Sequence, residues 1–445
     1  MKINWLSIKD FRGFRDCEIT FPKNSNIVVF IGINGAGKSA VLDAIKIILD
    51  ILVKDICSQK RTSEDKIFDE NNININADTY RLNIGFWDNL KDSNNNSDNF
   101  FNLLLSSAGL NKVISGTYKG FSRNLRSSIA KIELFNLPIF IFYSVTRNII
   151  YDINSDNGKN DVSNNISDYK YPQYFAYENS LNSHVNSFNE FIHWFRQEED
   201  FENQLQIRAQ TFGVYNEKLQ VVRIAIDEFL NKFGFARFSK LRIERIPIGG
   251  NNSHPYRPQY FIKLVIDKDE QRFEFSQLSS GEKMMLSLVV DIARRLAIAN
   301  PSLENKLEGE GIVLVDEIDL HLHPQWQRKL LPALTHTFPN IQFIVTTHSP
   351  QVLSHIPRES VFLLEDNKIS DREIYTEGRD SNSILQDAFH VPKYEKEYEK
   401  ELNDIYHLID KYDGKNAQEL LENLKEKRGE NDIEIMRMQS YIDLL

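Results

Sequence analysis

Three stretches far apart in the chain carry residue types suited to handling phosphate. Gly32 to Ser39 reads GINGAGKS and fits the spacing G-x-x-x-x-G-K-[ST]. Glycines at those positions let backbone N–H groups turn inward at the start of a helix, whose dipole favours negative charge, so the stretch makes an anion socket. Lys38 adds a point positive charge for β and γ phosphates, and the Ser39 hydroxyl is placed to hold Mg²⁺. Ile312 to Glu317 reads IVLVDE, an apolar run ending in two carboxylates with separate tasks. Asp316 is placed to order a Mg²⁺ shell beside Ser39, and Glu317 to polarise an attacking water. Ile344 to Pro350 (IVTTHSP) ends another apolar run at His348, where an imidazole can bond the γ phosphate or that water. Between these lies LSSGEK, Leu278 to Lys283, with Ser279, Ser280, Gly281 and Glu282 at the head of a helix and a second anion socket there; a well-capped helix start gives the same pattern.

These groups act together only if the chain places them at one edge of one sheet. Asn26–Ile31 (NIVVFI) is nearly unbroken apolar sequence, as in a strand buried on both faces, and Ala40–Leu52 is apolar almost all round, as in a buried helix. Beyond Gly281 the pattern alternates: Ile312–Val315 strand, Pro324–His336 helix, Ile341–Val345 strand, Pro350–Ser354 helix, Val361–Glu365 strand. That alternation predicts a parallel sheet covered by helices, with the active loops at the carboxyl ends of its strands. Residues 1–31 predict a hairpin turning at FRGFRD, Phe11 to Asp16, and further strands are expected at Tyr80–Trp87, Pro138–Tyr143, Lys240–Ile246 and Tyr260–Ile266. Asp92 to Asn99 (DSNNNSDN) and residues 151–169 are polar loops. Two amphipathic helices follow, one with Phe188, Phe191, Ile192 and Phe195 on a face, the next with Leu219, Val222, Ile226, Phe229, Leu230 and Phe233; both stripes read as core. Residues 381–445 read as three short helices, with Tyr398, Leu402, Ile405, Ile409 and Tyr412 along one of them, too short for a coiled coil. The expected divisions are 1–150, 151–239, 240–375 and 376–445.

Composition narrows the class of protein. The 445 residues are 41% hydrophobic, enough for a packed core in two or three domains. A net charge of −10 supplies no general basic surface for nucleic acid. Cys17 and Cys57 form no C-x-x-C pair, so neither a disulfide framework nor a thiolate zinc site is indicated. The first residues, MKINWLSIKD, have no apolar signal core, and no run reaches the ~18 apolar residues of a membrane span. The cytoplasm is the expected compartment.

Together GINGAGKS, LSSGEK, IVLVDE and the histidine of TTHSP resemble, in order and spacing, the Walker A, signature, Walker B and switch histidine of the ABC ATPase superfamily. FRGFRD, the DEIDLHLHP run from Asp316 to Pro324 and the helical insertion resemble its SMC, Rad50 and RecF-like branch. The resemblance covers roughly residues 1–365 and implies an α/β fold. Its head would pair a mostly parallel P-loop sheet and helices with an antiparallel β lobe, interrupted by a short helical insertion and followed by a helical C-terminal appendage. It implies ATP and Mg²⁺ as cofactors, with nucleotide contacts from Arg12, Gly32, Asn34, Gly35, Ala36, Gly37, Lys38, Ser39 and Ala40. Ser39 and Asp316 would serve the metal, and Glu317 and His348 would be catalytic. In that branch two heads meet head to tail, so Lys38 would face Ser279, Ser280, Gly281 and Glu282 of a second copy, with Leu320–His323 crossing the seam. Asp319, His321 and His323 are weighed and set aside as a metal cluster. Residues 151–239 carry no sustained heptads and no C-x-x-C hook, which excludes long SMC or Rad50 arms. A glutamine loop is not identified; the region ending at Arg147 occupies part of its place.

Within the branch the chain is most similar to the ATPase subunit of Septu-type and retron-associated anti-phage systems, including the TEGRDSNSILQDAF stretch from Thr376 to Phe389. Too little chain follows His348 for a Toprim nuclease, so the resemblance implies a partner nuclease of HNH type on another chain. The competing expectation is a RecF- or Rad50-like repair ATPase that clamps DNA as an ATP-dependent dimer; direct DNA binding is thus possible, and no membrane association is expected. A transporter ATPase would need a membrane partner and a coupling helix, and the insertion and FRGF start argue against it.

Overall fold

A computed structural model describes residues 1–58, 70–88, 99–108, 111–132, 134–145, 170–182, 187–211, 213–234, 238–247, 260–389, 392 and 394–444. Most of the Asp92–Asn99 loop, Thr146, Arg147 and residues 151–169 lie outside them. The chain divides into two compact units, Met1–Ser381 and Asn382–Leu445.

The first unit opens with a hairpin, β1 (Lys2–Phe11) and β2 (Phe14–Thr20), then β3 (Ile27–Ile31) and α1 (Lys38–Ile56). Next come β4 (Thr79–Asp88), β5 (Asn99–Ala108), β6 (Asn111–Ser115), α2 (Tyr118–Lys131) and β7 (Ile139–Tyr143). The helices α3 (Ser187–Ala209) and α4 (Glu217–Phe233) lead to β8 (Phe238–Pro247), β9 (Tyr260–Lys268) and β10 (Gln271–Glu274). The unit is completed by α5 (Ser280–Ala299), β11 (Gly311–Val315), α6 (Pro324–Thr337), β12 (Ile341–Thr346), α7 (Pro350–Leu353), β13 (Val361–Glu365) and β14 (Lys368–Ile369).

A six-stranded sheet has the order β14-β13-β3-β12-β11-β7, and all its pairings are parallel except that of β14. Its central strands β3, β12 and β11 are Val/Ile-rich and almost wholly buried, as strands covered on both faces must be. Val29 pairs with Val345, Val345 with Val315 and Val315 with Tyr143, so the strand ends carrying Gly32, His348 and Asp316 emerge side by side. Helix α1 lies between this sheet and an antiparallel sheet of order β2-β1-β4-β5-β6, which explains why apolar residues cover nearly its whole circumference. A third, antiparallel sheet has the order β10-β9-β8. The phenylalanine stripe of α3 and the aliphatic stripe of α4 are buried, and α4 packs on α5 and α6.

Between β7 and α5 sits a buried charge cluster. Asp291 accepts from Arg294 Nη2 at 2.7 Å, Arg295 Nε at 3.1 Å and the Tyr143 hydroxyl at 2.8 Å. Burial alone would raise the Asp291 pKa; the charges of Arg295 and Arg294 and the Tyr143 bond outweigh it and hold the carboxyl below its usual range. Tyr143 in turn accepts the Asp316 N–H at 2.9 Å through its carbonyl, so the cluster braces the strand end that bears the paired acids. Asp291→Ala would leave Arg295, 1% exposed, without its closest counter-charge. We expect it to destabilise the first unit by about 3–5 kcal/mol, read as a lower urea midpoint.

The second unit consists of most of α8 (Ser381–Phe389), then α9 (Lys396–Asp410), α10 (Gly414–Arg428) and α11 (Ile433–Ile442). From residue 381 on, the described residues therefore hold four helices where three were expected. Tyr398, Leu402 and Ile405 enter its core with Leu421, Leu424, Ile435 and Met438. Tyr412 does not: α9 ends at Asp410, and Tyr412 takes a left-handed φ of 61° and is 82% exposed. No described helix is long and apolar enough to cross a membrane.

Candidate functional site

The chain leaves β3 through Gly32 (φ 147°), Gly35 (φ 83°) and Gly37 (φ 101°), and α1 begins at Lys38. Side chains are refused at two of these positions for contact reasons as well: a Cβ on Gly32 would lie 2.3 Å from the Leu364 carbonyl, and one on Gly37 2.6 Å from the Phe14 ring. Among the described residues nothing accepts from the N–H groups of Lys38, Ser39 and Ala40, the first-turn donors that a helix leaves open. Asn34, Gly35 and Ser39 are exposed, Ala40 half-buried, and Ala36 buried with its N–H on the Ile33 carbonyl. Lys38 is folded back across the loop, its Nζ donating to the carbonyls of Gly32 at 2.9 Å and Ile33 at 3.1 Å. Burial lowers its pKa, while the charges of Glu317, Asp316 and Asp319 pull it up.

The acids are set by β12. Thr346 Oγ1 donates to Asp316 Oδ1 at 2.6 Å and accepts the Glu317 N–H at 2.7 Å, and the Thr346 carbonyl accepts from Ile318 N. Glu317 itself takes a left-handed φ of 48°, turning the chain sharply off the strand. Thr347 Oγ1 donates to Asp319 and also accepts the Ser349 N–H. His348 is half-buried beside these groups. Burial and then the Lys38 charge lower its pKa, against the pull of Glu317, Asp319 and Asp316, which favours the uncharged imidazole. Residues about 280 positions apart in sequence, Lys38 and Glu317, thus share one electrostatic environment with His348. Sequence reasoning missed Thr346 and Thr347. The available signal was a pair of hydroxyls directly after the apolar run Phe343–Val345, where a buried polar group needs a partner.

Arg12 sits beside α1: its Nη1 pairs with Asp43 at 2.6 Å and its Nε donates to Asn72 at 3.1 Å. Ser279 caps α5 reciprocally with Glu282. The Ser279 N–H reaches Glu282 Oε2 at 2.9 Å, and the Glu282 N–H reaches Ser279 Oγ at 3.4 Å. Burial works to raise the Glu282 pKa, but bonds from Lys268 Nζ (2.7 Å) and Ser279 leave it lowered. Gly281 abuts the loop after the acids, its Cβ position 2.9 Å from the His321 carbonyl. Ser279 and Ser280 face solvent. Among the described residues no hydrogen bond or ion pair joins Ser279–Glu282 to Gly32–Ser39 or to His348. His323 caps α6, its Nδ1 accepting the Gln325 N–H at 3.3 Å, and the described residues contain no group of three or more His, Cys, Asp or Glu able to hold a metal ion.

Comparison with known proteins matches residues 1–353 to the AAA ATPase domain family. Along its whole length the chain is 26% identical to a retron Ec83 probable ATPase of Escherichia coli, covering 87% of that protein. It is 35% identical to a Septu protein PtuA of Bacillus mycoides (strain KBAB4) over 26% of this chain and 17% of that one. Among solved structures it aligns with an SMC head bound to the C-winged helix domain of ScpA, over 84% of this chain and 99% of that one, at 16% identity and a TM-score of 0.44. The chain binds nucleotide and belongs to the AAA ATPase domain family, a match that takes in the phosphate loop, the paired acids and the histidine strand alike.

Proposed function

We propose that two copies of this chain meet head to tail around ATP, and that this nucleotide-gated pairing controls a partner nuclease of HNH type in an anti-phage system. The observation carrying the reading is that the site comes in two halves. Ser279 and Ser280 face solvent at a finished helix cap, with Gly281 buried behind them, and among the described residues the cap makes no bond to the phosphate loop. A second chain can therefore bring that cap to a triphosphate held by Lys38. The defence role rests on the likeness to retron and Septu proteins.

In this reading Lys38 leaves the carbonyls of Gly32 and Ile33 for the β and γ phosphates, while the open N–H groups of Lys38, Ser39 and Ala40 take the remaining oxygens. Hydroxyl and carboxylate oxygens suit Mg²⁺, and Ser39 with Asp316 would hold it, where it would neutralise charge on the transferred phosphoryl. Glu317 takes the proton of the attacking water, and neutral His348 donates to the γ phosphate. Water oxygen bonds to γ phosphorus as the bond to the ADP oxygen breaks. Arg12, in the turn between β1 and β2 and tied to Asp43 of α1, steadies the nucleotide. Hydrolysis removes the γ phosphate that bridges the two chains, so the pair opens.

Mixing tests the arrangement. Lys38→Ala and Ser280→Arg should each be inactive alone, because one lacks its own socket and the other spoils the cap it lends. Mixed in equal amounts they should regain about a quarter of native turnover, since half the pairs hold one intact composite site. A mixture no more active than its separate components would overturn the head-to-tail site.

A further inference from the structure

The turn between β13 and β14 touches the phosphate loop in a way that the nucleotide reading does not use. It is a two-residue hairpin loop, with Glu365 paired to Lys368 and Leu364 to Ile369, and both its residues are left-handed: Asp366 at φ 48° and Asn367 at φ 58°. Asn and Asp tolerate that conformation, so the backbone accounts for the residue types but not for where the side chain goes. The Asn367 carboxamide lies flat against Gly13. A Cβ built there would stand 2.3 Å from Oδ1, 2.5 Å from Cγ and 2.7 Å from Nδ2. The same Oδ1 is 2.8 Å from the Cβ position of Gly37, which the Phe14 ring approaches to 2.6 Å. On the other side of the strand end, the Leu364 carbonyl closes over Gly32. The hairpin is held to its neighbours, since β14 packs against β2.

We infer that Asn367 is a positioning residue for nucleotide binding: its carboxamide is a wedge that sets the spacing between the Arg12–Gly13 turn and the phosphate loop at Gly37. At Gly13 the wedge alone fills the space of a side chain; at Gly37 it adds to the Phe14 ring and the left-handed φ of 101°. Gly37 directly precedes Lys38, so slack at Gly37 is slack in the amides that receive phosphate. Arg12 directly precedes Gly13, so the same contact fixes where its guanidinium starts from. A binding loop loosened in this way loses affinity for substrate and transition state alike, which raises KM and leaves kcat in place. The inference rests on the reading of Gly32–Ser39 as the ATP site.

Asn367→Gly keeps the left-handed turn and removes only the wedge. It should raise KM for ATP roughly tenfold, short of the ~100-fold that a 1 Å misplacement can cost, with kcat within about twofold. The melting temperature should stay within about 2 °C, because glycine suits the turn at least as well. Gly13→Ala should raise KM too, by driving the carboxamide off its seat, and the pair Gly13→Ala with Asn367→Gly should recover most of that loss, since the methyl then occupies vacated space. An unchanged KM in Asn367→Gly, or a Gly13→Ala defect equally severe in both backgrounds, overturns the inference. Lys38→Ala measured alongside separates the two levels: if it abolishes binding while Asn367→Gly does nothing, the wedge is wrong and the site stands; if it changes nothing, the site reading falls as well.

Discussion

Replacing Lys38 with alanine is expected to weaken ATP binding on the order of 100-fold, the worth of losing two charge-assisted hydrogen bonds to phosphate. The side chain is only 6% exposed and already gives its hydrogens to two carbonyls of its own loop. That arrangement keeps a buried ammonium satisfied while it waits. Three carboxylates, Glu317, Asp316 and Asp319, hold it charged against burial. Alanine removes the one cation the loop contributes, and the acids then face the triphosphate without it. The loss should appear directly in a nucleotide-binding titration, with folding preserved. Full affinity in the variant would remove Gly32–Ser39 from the account.

Glu317→Gln is expected to do something different: to lower kcat by about 10² to 10⁴, the usual worth of a general base, and leave binding intact. Glutamine has the same shape and can sit at the same left-handed position, where the N–H is tied to Thr346 Oγ1 at 2.7 Å. What it lacks is a basic oxygen for the proton of water. Single-turnover hydrolysis measured beside ATP affinity separates the two effects. Equal losses in both would mean that Glu317 acts through structure.

The parallel sheet was legible because its central strands are buried on both faces and read as apolar runs, broken in β12 only by Gln342; β3, β11 and β12 stand where the runs lie. The span from Asn99 to Lys131 was not. β5 and β6 belong to an antiparallel sheet, where a half-buried strand shows only alternation, and in β5 the outward-facing Phe100 and Leu104 blur even that beside buried Phe101, Leu103 and Leu105. Helix α2 buries Phe121, Leu125 and Ile129 at four-residue spacing, but most of its other positions are Ser, Arg, Lys and Asn, which blur the stripe. Asp291, Arg294 and Arg295 look like a solvated helix face and are instead fully enclosed, because the partners that permit their burial, Tyr143 and Glu190, come from distant segments. Asn367 is beyond sequence for the same reason: a turn motif announces its backbone, while its contacts with Gly13 and Gly37 exist only once three separate hairpins and loops have been assembled.

The central claim is that ATP joins two copies of this chain, and the mass of the Glu317→Gln protein by light scattering tests it most directly. With ATP and Mg²⁺ the variant should shift from one chain to two, and ADP should not produce the shift. A mass that stays the same with and without ATP, in protein shown to bind the nucleotide, would contradict the account.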